Sequence, residues 1–382
     1  MGMKSGGLRK TLVTFQFFIS ILLIIGTFSI LNQLNYIQNK KLGFEKDQVL
    51  LVHNTYLLGE NFEPYKNRTL SNANVESVSA TWYLPTYSSR SSTVFFPDAI
   101  VDQDRGQVSQ NWYVEDTYAE VFGLTLKAGR FFDKDIPTDS MTMVINEKAA
   151  QVYGIDDLEN AVIGDFNNDG SSLDRYKVIG IIEDFHFESL KAEIGPLIMR
   201  LGSQRGYMAM RLNSANYQQV IDDAKAAWDE MAADQPFEYS FLDDRFGNMY
   251  EAESQLGEIF SIFATLAIII ACLGLFGLAA FTAQQKTKEV GIRKVLGASL
   301  GQLIYLMSKE VSILIIISFI IASAVGWYGV DLWLQSFAYR PPISVTAFIL
   351  AGVSALLVAL ITMSYQSIKV ATGNPVKALR NE

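Results

Sequence analysis

The chain has 382 residues, 49% of them hydrophobic and 19% charged, with a formal net charge of −9. An acidic balance of this size lacks the basic face that nucleic-acid binding demands. The single cysteine, Cys272, rules out an intramolecular disulfide.

Charge is distributed unevenly along the chain. No charged residue lies between Lys10 and Lys40, Glu258 and Lys286, Glu310 and Asp331, or Arg340 and Lys369. A helix needs about 20 apolar residues to cross the hydrocarbon core, so the four runs predict four spanning helices in a lipid bilayer. Residues 36–258 hold 19 Lys+Arg and 36 Asp+Glu, a net of −17, while the remainder is +8. The acidic block therefore reads as a water-exposed domain and the basic excess as membrane flanks.

The first apolar run is longer than the core of a signal peptide, and no small-x-small cleavage pattern follows it. Gln33, Asn35, Tyr36 and Gln38 continue a helical, polar exit instead. We read it as an uncleaved anchor. The link between spans two and three carries four cations and the C-terminal tail adds Lys369, Lys377 and Arg380. By the positive-inside bias both are cytoplasmic, and the N-terminus with them, which places residues 36–255 outside the cytoplasm. Lys4, Arg9 and Lys10 agree; Lys40, Lys41 and Lys46, beyond the first span, do not. Trp327, Tyr328, Trp333 and Tyr339 stand near the outer ends of spans three and four, where interfacial aromatic residues collect.

Within the acidic block, Val49–Val52, Val75–Ala80, Lys177–Ile182 and Gly206–Leu212 read as strands. Asn216–Met231 reads as a helix, with Val220, Ile221, Ala224, Ala227, Trp228 and Met231 on one buried face. The polar helix signal from Asp243 to Glu258 runs without proline into span two and predicts one continuous helix. Chemistry-bearing constellations are scarce. His53 and His186 are far apart and lack neighbouring ligands, so structural roles are the better reading of both. Asp165-x-Asn167-x-Asp169-Gly170 mimics half a calcium loop, but Tyr176 stands where a bidentate Glu is required, which favours a tight turn. No phosphate-binding loop motif occurs, and no Ser or Cys sits in a nucleophile motif. We therefore expect no catalytic, cofactor or metal residues.

The most informative stretch is Lys286–Ser299, KTKEVGIRKVLGAS, which sets Lys286, Lys288, Arg293 and Lys294 against Glu289. On a helix, Lys286, Glu289, Arg293 and Gly297 share one face, while Ile292, Val295, Leu296 and Leu303 share the other. The apolar face suits the membrane boundary and the charged face a cytosolic partner. Gly297 beside Ala298 permits a close turn into span three. A loop that only sets topology is the alternative reading of the same residues.

Ala271–Ser299 resembles the second span and the "K-E-I-G-I-R-K-x-x-G-A" signature of MacB/FtsX-type ABC transporter permeases, with Val290 in place of the commoner Ile. Asn374–Arg380 is similar to that family's terminal "N-P-x-x-A-L-R", and Phe122–Phe132 and Tyr176–Leu190 resemble its periplasmic core domain. Leu8–Phe44 looks more like the second repeat of duplicated Bacteroidetes permeases, which raises the expectation of a C-terminal half. The resemblance implies an α+β fold: four transmembrane helices with a mixed α/β, MacB-like extracytoplasmic domain inserted between helices 1 and 2. It divides the chain into a cytoplasmic stub with helix 1 (1–35), the core domain (36–255), a three-helix FtsX-like domain (256–367) with a coupling loop at 284–300, and a tail (368–382).

The same resemblance implies a non-catalytic inner-membrane subunit that binds no ATP itself. It would couple a separate ABC-type ATPase, docked at Lys286, Lys288, Glu289, Arg293, Lys294 and Gly297, to movement of the outer domain for efflux or export. A second permease copy or homologous half and a periplasmic adaptor are the further partners it implies. The competing reading is a membrane receptor or scaffold that binds an envelope ligand or protein.

Overall fold

The computed structural model describes residues 3–86, 90–102, 104–167, 169–213 and 216–371. The chain divides into two compact units, one of residues up to Asn39 together with those from Ala252 onwards, the other of Lys40–Glu251. The first is a helical unit and the second an inserted domain.

The helical unit contains α1 (Met3–Asn39), α7 (Glu251–Val295), α8 (Leu300–Leu334) and α9 (Val345–Ala371). Each has an apolar stretch long enough to cross a membrane: Lys10–Asn39, Glu251–Thr282, Ser308–Leu334 and Val345–Tyr365. Their shared core joins Phe17, Ile21 and Ile25 of α1 to Ala271 and Leu275 of α7, Ile315 of α8 and Phe348 and Ala351 of α9. Small residues let backbones approach in such packing. A Cβ on Gly26 would fall 2.6 Å from the Phe260 ring, and one on Gly352 2.6 Å from the Phe319 ring. The Ser318 hydroxyl of α8 donates to the Thr14 carbonyl of α1 (2.8 Å).

Among its described residues the inserted domain carries eleven strands: β1 (Val49–His53), β2 (Val75–Thr81), β3 (Ser92–Pro97), β4 (Gln107–Val114), β5 (Leu126–Gly129), β6 (Thr142–Asn146), β7 (Val162–Phe166), β8 (Leu173–Ile182), β9 (Leu197–Leu201), β10 (Tyr207–Leu212) and β11 (Tyr239–Phe241). Among the described residues five α-helices accompany them, α2 (Phe62–Leu70), α3 (Tyr118–Phe122), α4 (Glu147–Tyr153), α5 (Tyr217–Met231) and α6 (Leu242–Asn248), with 3-10 helices at Thr55–Asn61 and Pro137–Met141. The four predicted strands are β1, β2, β8 and β10, and the predicted helix is α5.

The strands form two regions. β11, β1, β10 and β2 make an antiparallel sheet in that order. β4, β3, β7, β8, β6 and β9 close into a ring, because β9 pairs in parallel with β4 as well as antiparallel with β6. One register pair, Thr81 opposite Val114, joins the two regions.

Each region has its own core. Leu50, Val52, Val78, Met208 and Met210 pack with Phe62 and Tyr65 of α2 and with Val220, Ile221, Ala227 and Trp228 of α5. In the ring, Phe95, Met143, Ile145, Ile163, Val178 and Ile198 pack with Ala149, Ala150 and Tyr153 of α4. α4 starts where the Asn146 side chain accepts the Ala149 N–H (3.0 Å), and stops at Gly154, whose φ of +67° few other residues tolerate.

One expectation needs correction. The helix expected from Asp243 into span two is interrupted: α6 ends at Asn248 and α7 starts at Glu251. Between them the Met249 and Tyr250 N–H groups reach back three residues, to Phe246 (3.2 Å) and Gly247 (3.0 Å). Gly247 and Asn248 are weak helix formers, and the Tyr250 hydroxyl is committed to the Leu190 N–H (2.8 Å). The connection at 284–300, whose residues the sequence places on the faces of a helix, is mostly helix: α7 continues to Val295 and only Leu296–Ser299 link it to α8.

Candidate functional site

No proline interrupts Glu251–Val295, and Gln284, Gln285, Lys286, Lys288 and Glu289 are good helix formers. α7 therefore extends past its apolar stretch, which ends at Thr282, by more than three turns. All four candidate cations and Glu289 lie on this extension, while Gly297 lies beyond its end. The side chains of Lys286, Lys288 and Lys294 are outside the described residues, so these three are placed by backbone position alone.

Glu289 and Arg293 stand one turn apart, and the Arg293 Nη2 to Glu289 Oε1 distance is 2.8 Å with both side chains about half exposed. Such a pair contributes a few tenths of a kcal/mol to the helix, roughly 0.3–0.5. It also neutralises one of the four cations. Ile292 and Leu296, again one turn apart, are exposed, with Leu296 at 81%. The expected apolar face loses one member, because Leu303 belongs to α8 and is buried.

The turn that follows is built from specific local chemistry. The Leu296 N–H donates to Ile292 (3.0 Å) and the Ala298 N–H reaches back to Arg293 (2.9 Å). The second bond requires the left-handed residue between them, and Gly297 adopts φ +90°. Gly297 thus lies on no helix face; it ends the helix. Ser299 then caps α8: its Oγ accepts the Gln302 N–H (3.4 Å), and its own N–H donates to Gln302 Oε1 (3.0 Å). Ser299 and Gln302 were not among the expected site residues, although their S-x-x-Q spacing is a readable capping box. A short ordered turn between two capped helices can present one fixed surface to a partner. The tail motif Asn374–Arg380 lies outside the described residues.

Elsewhere the residues considered for chemistry have structural partners. His53 Nε2 is 2.8 Å from Ser240 Oγ, and burial followed by Arg245 lowers its pKa. Burial, then Lys40, pushes the His186 imidazole down to about 4. Asp165 pairs with the buried Arg200 guanidinium (2.5 Å), while the Asn167 side chain bonds Ser171 and Ser172 at the β7–β8 turn. Among the described residues no three His, Cys, Asp or Glu side chains form a group able to hold a metal ion.

Comparison with known proteins places both parts of the chain. Residues 17–227 match the MacB-like periplasmic core domain family, and residues 261–375 match the FtsX-like permease C-terminal family. An uncharacterised ABC transporter permease of Bacillus subtilis (strain 168), YknZ, is 24% identical over 298 residues, covering 70% of this chain and 69% of that protein. The periplasmic region of MacB from Actinobacillus actinomycetemcomitans aligns over 55% of this chain and 94% of its own, with a TM-score of 0.37 at 14% identity. The extracellular domain of YknZ from Gram-positive bacteria aligns over 50% of this chain and 98% of its own, with a TM-score of 0.35 at 14% identity.

Proposed function

We propose a function from an established premise: this chain belongs to the MacB-like, FtsX-like family of ABC transporter permeases. It is a multi-pass membrane protein of that family, and the family works with an ATPase. On our reading it is a non-catalytic subunit that transmits force. A separate ATPase docks at the end of α7 and the turn after it, ATP-driven motion passes along α7, and the inserted domain responds in efflux or export from the cell envelope. The membrane is the inner membrane of a bacterium, with the α7–α8 turn and both termini on the cytoplasmic side. A second permease copy or homologous half completes the machine, with a periplasmic adaptor as a further partner.

The observation that carries this reading is the length of α7. Its 45 residues give roughly 68 Å of uninterrupted helix, against a hydrocarbon core of about 30 Å. Part of the surplus lies past Thr282, so the helix that spans the membrane also carries the basic residues to the turn. Glu289, Arg293, Lys294 and Gly297, with Lys286 and Lys288 one to two turns earlier, are the residues we assign to the ATPase contact.

The test is the double charge reversal R293E/K294E, assayed with the P-loop ATPase that copurifies with the chain. We expect stimulation of ATP hydrolysis to fall by about tenfold or more, the effect of removing a paired charge contact at an interface, with membrane insertion unchanged. Unaltered stimulation in a correctly inserted variant would rule the contact out.

A further inference from the structure

We infer that Phe185–Leu190 is a clasp that fastens both chain crossings of the inserted domain, Leu42–Phe44 following α1 and Tyr250 preceding α7, so that displacing one crossing is felt at the other. The functional meaning of the clasp rests on the force-transmission reading; its existence does not.

β8 ends at Ile182, and the next eight residues form no helix or strand. Phe185, His186, Phe187 and Leu190 are nevertheless buried. A buried irregular segment must find a partner for each backbone donor. The Glu183 N–H donates to Thr125 (2.9 Å) and the Asp184 N–H to the Glu147 carboxylate (3.1 Å), while Asp184 Oδ1 accepts the Lys148 N–H (2.9 Å). These contacts anchor the start of the segment beside β5 and α4.

The Phe187 N–H stays within the segment, on the Phe185 carbonyl (3.1 Å), and two further donors go to the two crossings. The His186 N–H donates to the Leu42 carbonyl (2.8 Å). Next to it Gly43, at φ +78°, approaches so closely that a Cβ would lie 2.6 Å from the Asp184 carbonyl oxygen and 2.8 Å from the Phe185 Cα. Only glycine meets both conditions. The Phe44 ring then meets Phe185 edge-on, with centroids 6.5 Å apart. Four residues past His186, the Leu190 N–H donates to the Tyr250 hydroxyl (2.8 Å), and both residues are buried. Tyr250 also packs edge-on against Phe246 of α6 (5.4 Å).

Between its two attachments the segment rests on a stiff support. Phe185 and Phe187 meet the fully buried Trp112 edge-on at 6.0 and 5.3 Å. Trp112 is stacked on Tyr83 (5.5 Å), with the Arg90 guanidinium 5.1 Å from its ring. Close-packed interiors transmit strain and do not absorb it, so neither attachment can shift without disturbing the other. If α7 carries a stroke, Tyr250, the residue before that helix, is where the chain delivers it, and Gly43 marks the other crossing. Both are positioning residues.

Hydrogen exchange read by mass spectrometry, on the full chain in lipid nanodiscs, tests this without any ATPase. Tyr250→Phe removes one hydroxyl and keeps the ring against Phe246. We expect exchange to rise by about threefold or more over residues 185–190, and also over residues 42–46, where the Glu45 N–H is held by Phe122 (2.9 Å). Gly43→Ala should in turn raise exchange over residues 246–252, since coupling is reciprocal. Changes confined to the substituted crossing and the segment itself would overturn the clasp. Loss of ATPase coupling in the charge-reversal variant is a separate readout, so the two proposals can fail independently.

Discussion

In the inserted domain, Trp228 is fully buried, meets Tyr65 and Phe237 edge-on and gives its indole N–H to the Gln235 carbonyl (3.0 Å). In the helical unit, Leu273 of α7 leaves 68% of its surface exposed. The contrast runs through both units. The domain is held by burial from water, aromatic contacts and paired charges, such as the fully buried Asp139 carboxylate that takes both terminal nitrogens of Arg130 (2.6 Å each). The helices gain nothing by hiding apolar surface from a lipid that is itself apolar, and depend on close packing and a few polar contacts. Within that unit the grip is uneven: 44% of the apolar window of α1 is buried but only 17% of that of α7. Within this unit α7 is thus the helix with the fewest packing constraints.

Three measurements test this contrast. The largest effect is expected from Trp228→Ala, which should destabilise the inserted domain by about 4 kcal/mol through lost burial and the cavity left behind. Denaturant unfolding followed by the intrinsic fluorescence of the remaining tryptophans would read it, and a loss below about 1 kcal/mol would show that the core does not carry the domain.

The second concerns pH. His186 is kept neutral in the fold, with its pKa pushed down to about 4 from an ordinary 6.5. An unfolded chain takes up a proton below pH 6.5 that the folded chain refuses. The contribution is therefore intact above pH 6.5 and fades as pH falls towards 4, by about 3 kcal/mol at most. Thermal unfolding of the full chain at pH 6.5 and 4.5 should show a smaller acid loss for His186→Gln than for the wild type. Equal acid losses in the two proteins would remove His186 from the account.

The smallest effect belongs to the helical unit. Ser318→Ala deletes the bond from α8 to the Thr14 carbonyl, and its cost should be about 0.6 kcal/mol in a bilayer or detergent. A cost near that of Trp228→Ala would mean that the helices are held by polar contacts as strongly as the domain is by its core.

Much of this architecture was legible before any coordinates. The four spans follow from charge-free runs, and α5 from the three-and-four spacing of Val220, Ile221, Ala224, Ala227 and Trp228, all buried as expected. β1 and β2 follow from short β-branched runs. The expected site residues could be located by their motif, but their arrangement could not. Lys286–Lys294 share one helix with span two, Gly297 ends that helix, and Leu303 belongs to the next. Where a helix stops depends on a turn of backbone bonds that hydropathy does not weigh, which is why the pattern does not place the end of α7. The break at Met249–Tyr250 was hidden for a different reason: the partner of the Tyr250 hydroxyl, Leu190, is sixty residues away.

Period, charge and span length are local, set by neighbouring residues, and a motif such as KTKEVGIRKVLGAS keeps its meaning wherever the chain takes it. Tertiary structure alone decided the ring closed by β4 and β9, the core built on Trp112, and the joining of Leu42–Phe44 and Tyr250 by Phe185–Leu190. Each of these pairs residues far apart in the chain, and the energy of such a contact depends on a partner that no local pattern names.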